Sequence, residues 1–226
     1  MSGQAALVAL ALSLAPLSGA PPAWLDLALA RLPAPSGAWP AACTLEIERN
    51  GQRSVEHFDP LAPPAAQWTL VERQGQAPSP EELAAYRQSR AAPATTPAPA
   101  GLVAQQIDRA SLELVRESAT HATLTGGFTE EAAATDKLLG RLTLTLLVRK
   151  DPAAVVYYRL ELRQPFSPVL GVRMHELDAG AVYDAEGSVR RSWSRFRGRV
   201  FLRPVVERVT ATFAPPGKPG SLGNRN

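Results

Sequence analysis

Nucleophilic, acid–base and metal chemistry draw on a few side-chain types, and this chain is sparing with two of them. It holds three histidines, His57, His121 and His175, and one cysteine, Cys43. His57 stands near Glu56 and Asp59, His121 beside Thr120, and His175 within Met174-His175-Glu176. No pair has the spacing of a helical zinc motif, and one cysteine excludes a cysteine-rich zinc site. No nucleophile elbow, phosphate loop or dinucleotide fingerprint occurs, and Gly126-Gly127 reads only as a turn. The nearest approach to a catalytic set is His175, Glu176 and Asp178, a base with two carboxylates. Polar residues of strands and turns are far commoner than dispersed sites of that kind. The sequence therefore assigns no catalytic, cofactor-binding or metal-ligating residue and predicts no cofactor. It favours a non-enzymatic protein, with a dispersed-site enzyme as an alternative.

Binding chemistry is better represented. The formal net charge is +3, and arginines recur from Arg190 to Arg208. Arg195, Arg197 and Arg199 form a candidate patch for an anionic partner, such as lipid headgroups or cell-surface polymers. The competing reading is a solvated strand face kept charged against edge-to-edge pairing. Nucleic acid is not the expected partner of an exported chain. Tyr157-Tyr158 send their rings to opposite faces of one strand. Val155, Tyr157, Arg159, Glu161 and Arg163 fall on one side. Val156, Tyr158, Leu160 and Leu162 fall on the other, the expected core side.

The elements that position these groups follow from periodicity. Trp24 to Leu32 has a helical apolar face and stops at Pro33. Cys43, Leu45 and Ile47 alternate with polar residues, Asn50-Gly51 supplies a tight turn, and Ser54 to Phe58 returns. The alternation also predicts that the Cys43 thiol is hidden. Trp68 to Glu72 is extended, and Gln74-Gly75-Gln76 turns. Ser79-Pro80-Glu81-Glu82 opens a helix to Arg90: Ser79 can cap it, and Glu82 can reach back. Leu83 and Tyr86 are its apolar anchors, suited to lie over a sheet edge or barrel mouth.

Residues 91–101 are Pro-rich and read as a mobile insert within one domain. Leu102 to Asp108 predicts a helical turn. Leu112–Val115 pairs with Ala122–Thr125, and Thr129 caps a short helix to Asp136. Strands follow over Leu142–Val148, Ala154–Arg163, Val169–Leu177, Val189–Phe201 and Val205–Phe213. Leu142, Leu144 and Leu146 alternate with polar neighbours, as in an antiparallel sheet with one packed face. The expected fold is mainly β with flanking helices (α+β), a curved antiparallel sheet or open half-barrel covered by short helices. One domain spans 21–213, and 214–226 reads as a disordered tail.

Residues 1–20 (MSGQAALVALALSLAPLSGA) carry no charge, an apolar run from Ala5 to Ala15, and Ser18-Gly19-Ala20 at the end. That layout predicts a secretory signal peptide cleaved near Ala20, and so a periplasmic or secreted protein. No later segment approaches the ~20 apolar residues of a membrane span, so no stable span is expected in the mature chain. The Ala, Pro and Arg bias points to a GC-rich, bacterial coding sequence.

A leader, a first helix, an Asn-Gly hairpin, a capped middle helix and a run of antiparallel strands together resemble the periplasmic lipoprotein carrier superfamily. The strings Phe58-Asp59-Pro60, Trp68-Thr69-Leu70, Ala77 to Leu83, and Tyr158 to Leu162 before Pro165-Phe166-Ser167-Pro168 also resemble uncharacterised exported bacterial proteins. The resemblance covers most of residues 22–213. It implies an open half-barrel closed by helices that shields lipid chains in its hollow. The Pro-rich insert and the Arg-dense strand depart from a simple carrier. On this reading Leu142, Leu144, Leu146, Val156, Tyr158, Leu160 and Leu162 are the candidate apolar ligand face, for a lipid or acyl chain. The alternative is a filled core in a structural or protein-interaction module of the cell envelope, docking on an envelope protein.

Overall fold

The computed structural model describes residues 15–16, 22–33, 39, 41–91 and 102–215. Among these, the chain forms one antiparallel sheet with three short helices, mainly β as expected and open rather than closed into a barrel. The strands are β1 (Ala15–Pro16), β2 (Cys43–Arg49), β3 (Gln52–Phe58), β4 (Trp68–Arg73), β5 (Ile107–Glu117), β6 (His121–Phe128), β7 (Leu142–Lys150), β8 (Ala153–Leu162), β9 (Val172–Tyr183), β10 (Val189–Val200) and β11 (Arg203–Phe213). The helices are α1 (Ala23–Ala30), α2 (Pro80–Ala91) and α3 (Glu130–Thr135).

The spatial order is β1-β5-β6-β7-β8-β9-β10-β11-β2-β3-β4. A meander from β5 to β11 thus meets the N-terminal hairpins along β11 and β2, leaving β4 at one edge. Apart from Ala15–Pro16, whose backbone pairs with Leu114 and Glu113, the expected leader lies outside the described residues. So do 92–101 of the Pro-rich insert and 216–226 of the tail.

Local chemistry sets the helix starts. The Ser79 hydroxyl accepts from the Glu82 N–H at 3.2 Å, and the Glu82 carboxylate accepts from the Ser79 N–H at 2.9 Å. These two bonds satisfy donors that the first turn of α2 would otherwise leave unpaired. Thr129 caps α3 by accepting from the Ala132 N–H at 3.2 Å. A 3-10 turn at Ala104–Gln106 precedes β5.

One face of the sheet, here the inner face, carries the core. Leu124, Leu146, Tyr158, Ala181, Ser192, Ala211, Leu45, Glu56 and Leu70 stand opposite one another in turn from β6 to β4. Every member of that row is buried, and Glu56 is its one charged residue. Over β7 and β8 the row is capped by α1, whose Leu25, Ala28 and Leu29 pack against Leu144, Leu146, Val148 and Tyr158. Around Cys43 a second cluster gathers Phe58, Phe213, Trp39 and Trp68. Trp39 meets Trp68 edge-on at 5.2 Å between ring centroids, and Phe58 lies 4.8 Å from Trp68.

Three expectations are corrected. Leu147 pairs with Tyr157 but Val148 pairs with Val155, so Val156 is the extra residue of a β-bulge. A bulge shifts the alternation by one. Val155 is therefore buried in the core with Tyr158, while Val156 is only half-buried and outside that cluster. The strand expected over Val169–Leu177 begins instead at Val172 and runs to Tyr183. Val169 and Leu170 belong to a turn that Gly171 closes at φ +81. The strand expected to end at Phe201 ends at Val200, because Phe201 and Leu202 form the turn into β11.

Candidate functional site

The half of the inner face under α1 is filled. Leu142, Leu144, Leu146 and Tyr158, four of the candidate ligand-face residues, are buried. Leu160 packs half-buried at the margin of this core, and Leu162 is half-buried one row further on. A small pocket of about 260 Å³ remains at the C-terminal end of α1, between Leu32, Val155 and Tyr183.

The other half of the inner face is open. Beyond Leu144, its next row runs Leu160, Ala179, Ser194, Val209, Ile47 and Ser54, all half-buried. The residues that β9 and β10 contribute to this row, Ala179 and Ser194, are small. At β2–β4 the face deepens into an open cleft of about 910 Å³, floored by Ile47 and Leu70 and walled by Tyr86, Ser89 and Arg90 of α2. The volume lies within the range of small-molecule sites. Sequence periodicity placed the ligand face on β7 and β8. It missed the cleft because α2 creates it, and the reach of α2 over β3 is a tertiary fact.

The cleft is organised by Glu56. Its carboxylate accepts from the Tyr86 hydroxyl at 2.9 Å and from the Arg90 guanidinium. Arg90 Nε also donates to the Tyr86 oxygen at 3.2 Å, and its guanidinium lies 4.5 Å from the centroid of the Trp68 ring. A buried carboxylate needs such partners. Burial pushes the Tyr86 hydroxyl well above the ordinary phenol value, and the adjacent Glu56 carboxylate pushes it the same way. Tyr86 therefore stays protonated as a donor throughout the physiological range. Arg49 and Arg73 reach the cleft from the strands, paired with Glu207 and Glu82 respectively.

The outer face is polar, and its register sets opposite charges side by side at Asp178–Arg195, Arg208–Glu48 and Glu48–Arg53 but like charges at Glu161–Asp178 and Arg195–Arg208. Glu161, Asp178, Arg195, Arg208, Glu48 and Arg53 stand opposite one another across six strands. Asp178 accepts from Arg159 Nε at 2.9 Å and from Trp193 Nε1 at 3.3 Å. Burial pushes the Asp178 carboxyl up, but the hydrogen bonds from Arg159 and Trp193, together with the charges of Arg159 and Arg195, outweigh it and hold the group below its ordinary value. The Trp193 ring stacks on Tyr157 with centroids 5.6 Å apart.

The three candidate patch arginines project from this face and differ. Arg195 faces Asp178, and Arg197 pairs with Glu176 at 3.3 Å. Arg199 stands opposite Arg173 and Pro204, and among the described residues no carboxylate lies within ion-pair distance of it. Glu176 and Asp178 are thus engaged by arginines, and His175 is exposed where β9 slips register. His57 pairs into the ladder of β2–β4, where burial lowers its pKa. His121 Nδ1 lies 2.9 Å from the Thr120 hydroxyl. Among the described residues, no group of three or more His, Cys, Asp or Glu is placed to hold a metal ion. The Cys43 thiol is buried, and burial pushes its pKa up to about 12. No helix among the described residues is long and apolar enough to cross a membrane.

No protein-family model, curated protein or solved structure matches the chain.

Proposed function

We propose that this chain is a non-enzymatic binding protein working outside the cytoplasm, and that it receives an amphipathic, acyl-bearing ligand in the cleft between α2 and β2–β4. The observation that carries the reading is the cleft itself. It offers apolar surface at Ile47 and Leu70 and guanidinium groups at Arg49, Arg53, Arg73 and Arg90, each held by a carboxylate with which an acidic head would have to compete. Such a site suits a chain with an acidic head. The half-exposed row from Leu160 to Ile47 extends the floor along the sheet. The open, half-barrel-like sheet with helices on its inner face supports the carrier resemblance. The extracytoplasmic setting rests on the leader reading of residues 1–20.

The Glu56–Arg90–Tyr86 cluster gives the site a latch. While it is closed, α2 is held against β3; a ligand head competing for Arg90 would loosen it. Saturable uptake of a fluorescent fatty acid, displaced by oleate, tests this reading. Ile47→Trp should fill the floor and weaken uptake at least about tenfold, the loss expected when a bulky ring occupies an apolar site. Absence of uptake, or uptake equal in wild type and the I47W variant, overturns the reading.

A further inference from the structure

Two turns meet at one end of the sheet. The first holds Val169, Leu170 and Gly171, and the second holds Phe201 and Leu202. The Phe201 N–H donates to the Gly171 carbonyl at 2.7 Å. The Phe201 ring lies so close over Gly171 that a Cβ there would fall 2.6 Å from it. The two turns therefore form a single apex. Its side chains point to solvent: Leu170 is 96% exposed, Leu202 88%, Phe201 74% and Val169 61%. Leu170 and Leu202 are the two most exposed large apolar residues described.

The backbone chemistry of the second turn runs against local preference. Three two-residue turns in this sheet place both central residues at positive φ: Asn50-Gly51, Gln74-Gly75 and Phe201-Leu202. The first two end in glycine, which adopts that region freely. Phe201 and Leu202, at φ +45 and +69, do so against their Cβ atoms. Strain at such a position is a pointer to function.

Charge identifies the partner. From Gln164 to His175 and from Arg197 to Val206 the chain contains no Asp or Glu and four arginines, Arg173, Arg197, Arg199 and Arg203. Among the described residues, only Arg197 of these four has a carboxylate within ion-pair distance, Glu176 from outside these segments. Arg199 and Arg173 face each other directly across β10 and β9. Like charges opposite one another are unfavourable unless an anion joins them. A second copy of this chain would bring the same cations to the contact, so self-association is disfavoured. An anionic bilayer offers both things the apex lacks, an apolar phase for its side chains and phosphates for its guanidinium groups.

We propose that this apex, with Val169, Leu170, Phe201 and Leu202 entering the headgroup–acyl boundary and Arg173, Arg199 and Arg203 behind them, docks the protein on an anionic lipid surface. The proposal is independent of whether the α2 cleft binds a ligand. Co-flotation with vesicles of phosphatidylcholine alone, or of phosphatidylcholine and phosphatidylglycerol in equal parts, tests it. The purified chain should float with the anionic vesicles and not with the neutral ones. Each Arg→Gln substitution at 173, 199 or 203 should weaken binding about fivefold, the effect of one cation near a charged membrane. Phe201→Asn with Leu202→Gly restores ordinary turn residues, so the fold is kept while binding should fall at least about tenfold. Fatty-acid uptake into the cleft should be unchanged in that variant. No flotation of the intact chain, equal flotation with neutral vesicles, or undiminished binding by the F201N/L202G variant overturns the proposal. So does sedimentation showing that the variant abolishes a dimer instead.

Discussion

Arg90 near the end of α2 donates to Glu56 in the middle of β3, across 34 positions of sequence. This contact ties a helix with few buried side chains to the one charge on the buried row of the inner face. Removing one member should cost more than removing both. Arg90→Ala leaves a buried carboxylate without its cation and should destabilise by about 2–4 kcal/mol, whereas Glu56→Leu with Arg90→Met should cost about 1 kcal/mol or less. Urea unfolding of the two variants checks the asymmetry. Amide exchange in α2 should accelerate in the single variant ahead of global unfolding.

Gly180 lies under the Trp193 ring on the outer face. A Cβ at Gly180 would meet the Tyr158 carbonyl oxygen at 2.3 Å and the Trp193 ring at 2.6 Å. Backbone cannot yield as a flexible side chain can, so Gly180→Ala should destabilise by about 1–3 kcal/mol, the usual cost of overpacking. It should also separate Trp193 from Tyr157 and shift tryptophan fluorescence in the folded protein. A variant as stable as the parent would show that β8 and β9 can slide apart.

Asp178 gives the fold an acid-sensitive contact. Its ordinary value is 3.8, and in the folded chain it is held lower, chiefly by Arg159 and Trp193 against the opposing effect of burial. A lowered folded-state pKa means the unfolded chain binds the proton more tightly. The contribution is therefore complete at neutral pH and is lost as pH falls below 3.8 through the folded value. Thermal midpoints measured downward from neutral pH should fall less steeply for Asp178→Asn than for the parent.

The turn at Phe201-Leu202 trades stability for its exposed side chains. Restoring the residues that two-residue turns prefer, as in F201N/L202G, should raise stability by about 1 kcal/mol. Chemical denaturation checks this, and an unchanged denaturant slope would show that the folded ensemble is the same. A loss of stability would mean that the Phe201 ring on Gly171 contributes more than the turn strain costs.

Much of the architecture is legible along the chain because it depends on near neighbours. Alternation in Cys43–Ile47 and Leu142–Val148, the glycine of Asn50-Gly51, and the reciprocal cap of Ser79 and Glu82 each act within a few residues. Together they specify strands, hairpins and helix starts without reference to the rest of the molecule. The buried state of Cys43 follows from the same alternation.

What the tertiary structure alone decided begins where one residue is added to a pattern. The bulge at Val156 exchanges it with Val155 on the core face, and period-two reasoning has no signal for that slip. Long-range register decided the rest. It set Glu176 beside Arg197 and left Arg199 opposite Arg173, so a run that looks uniform in sequence divides into an arginine facing a carboxylate and one facing another arginine. It joined Gly171 to Phe201 across 30 positions, making one apex of two turns, and it laid α2 over Glu56 to form the cleft. Alternation along an unbroken strand assigns its side chains to faces, but bulges and the pairing between distant strands decide where that alternation slips and which residues meet, because that choice is made by packing the whole sheet at once.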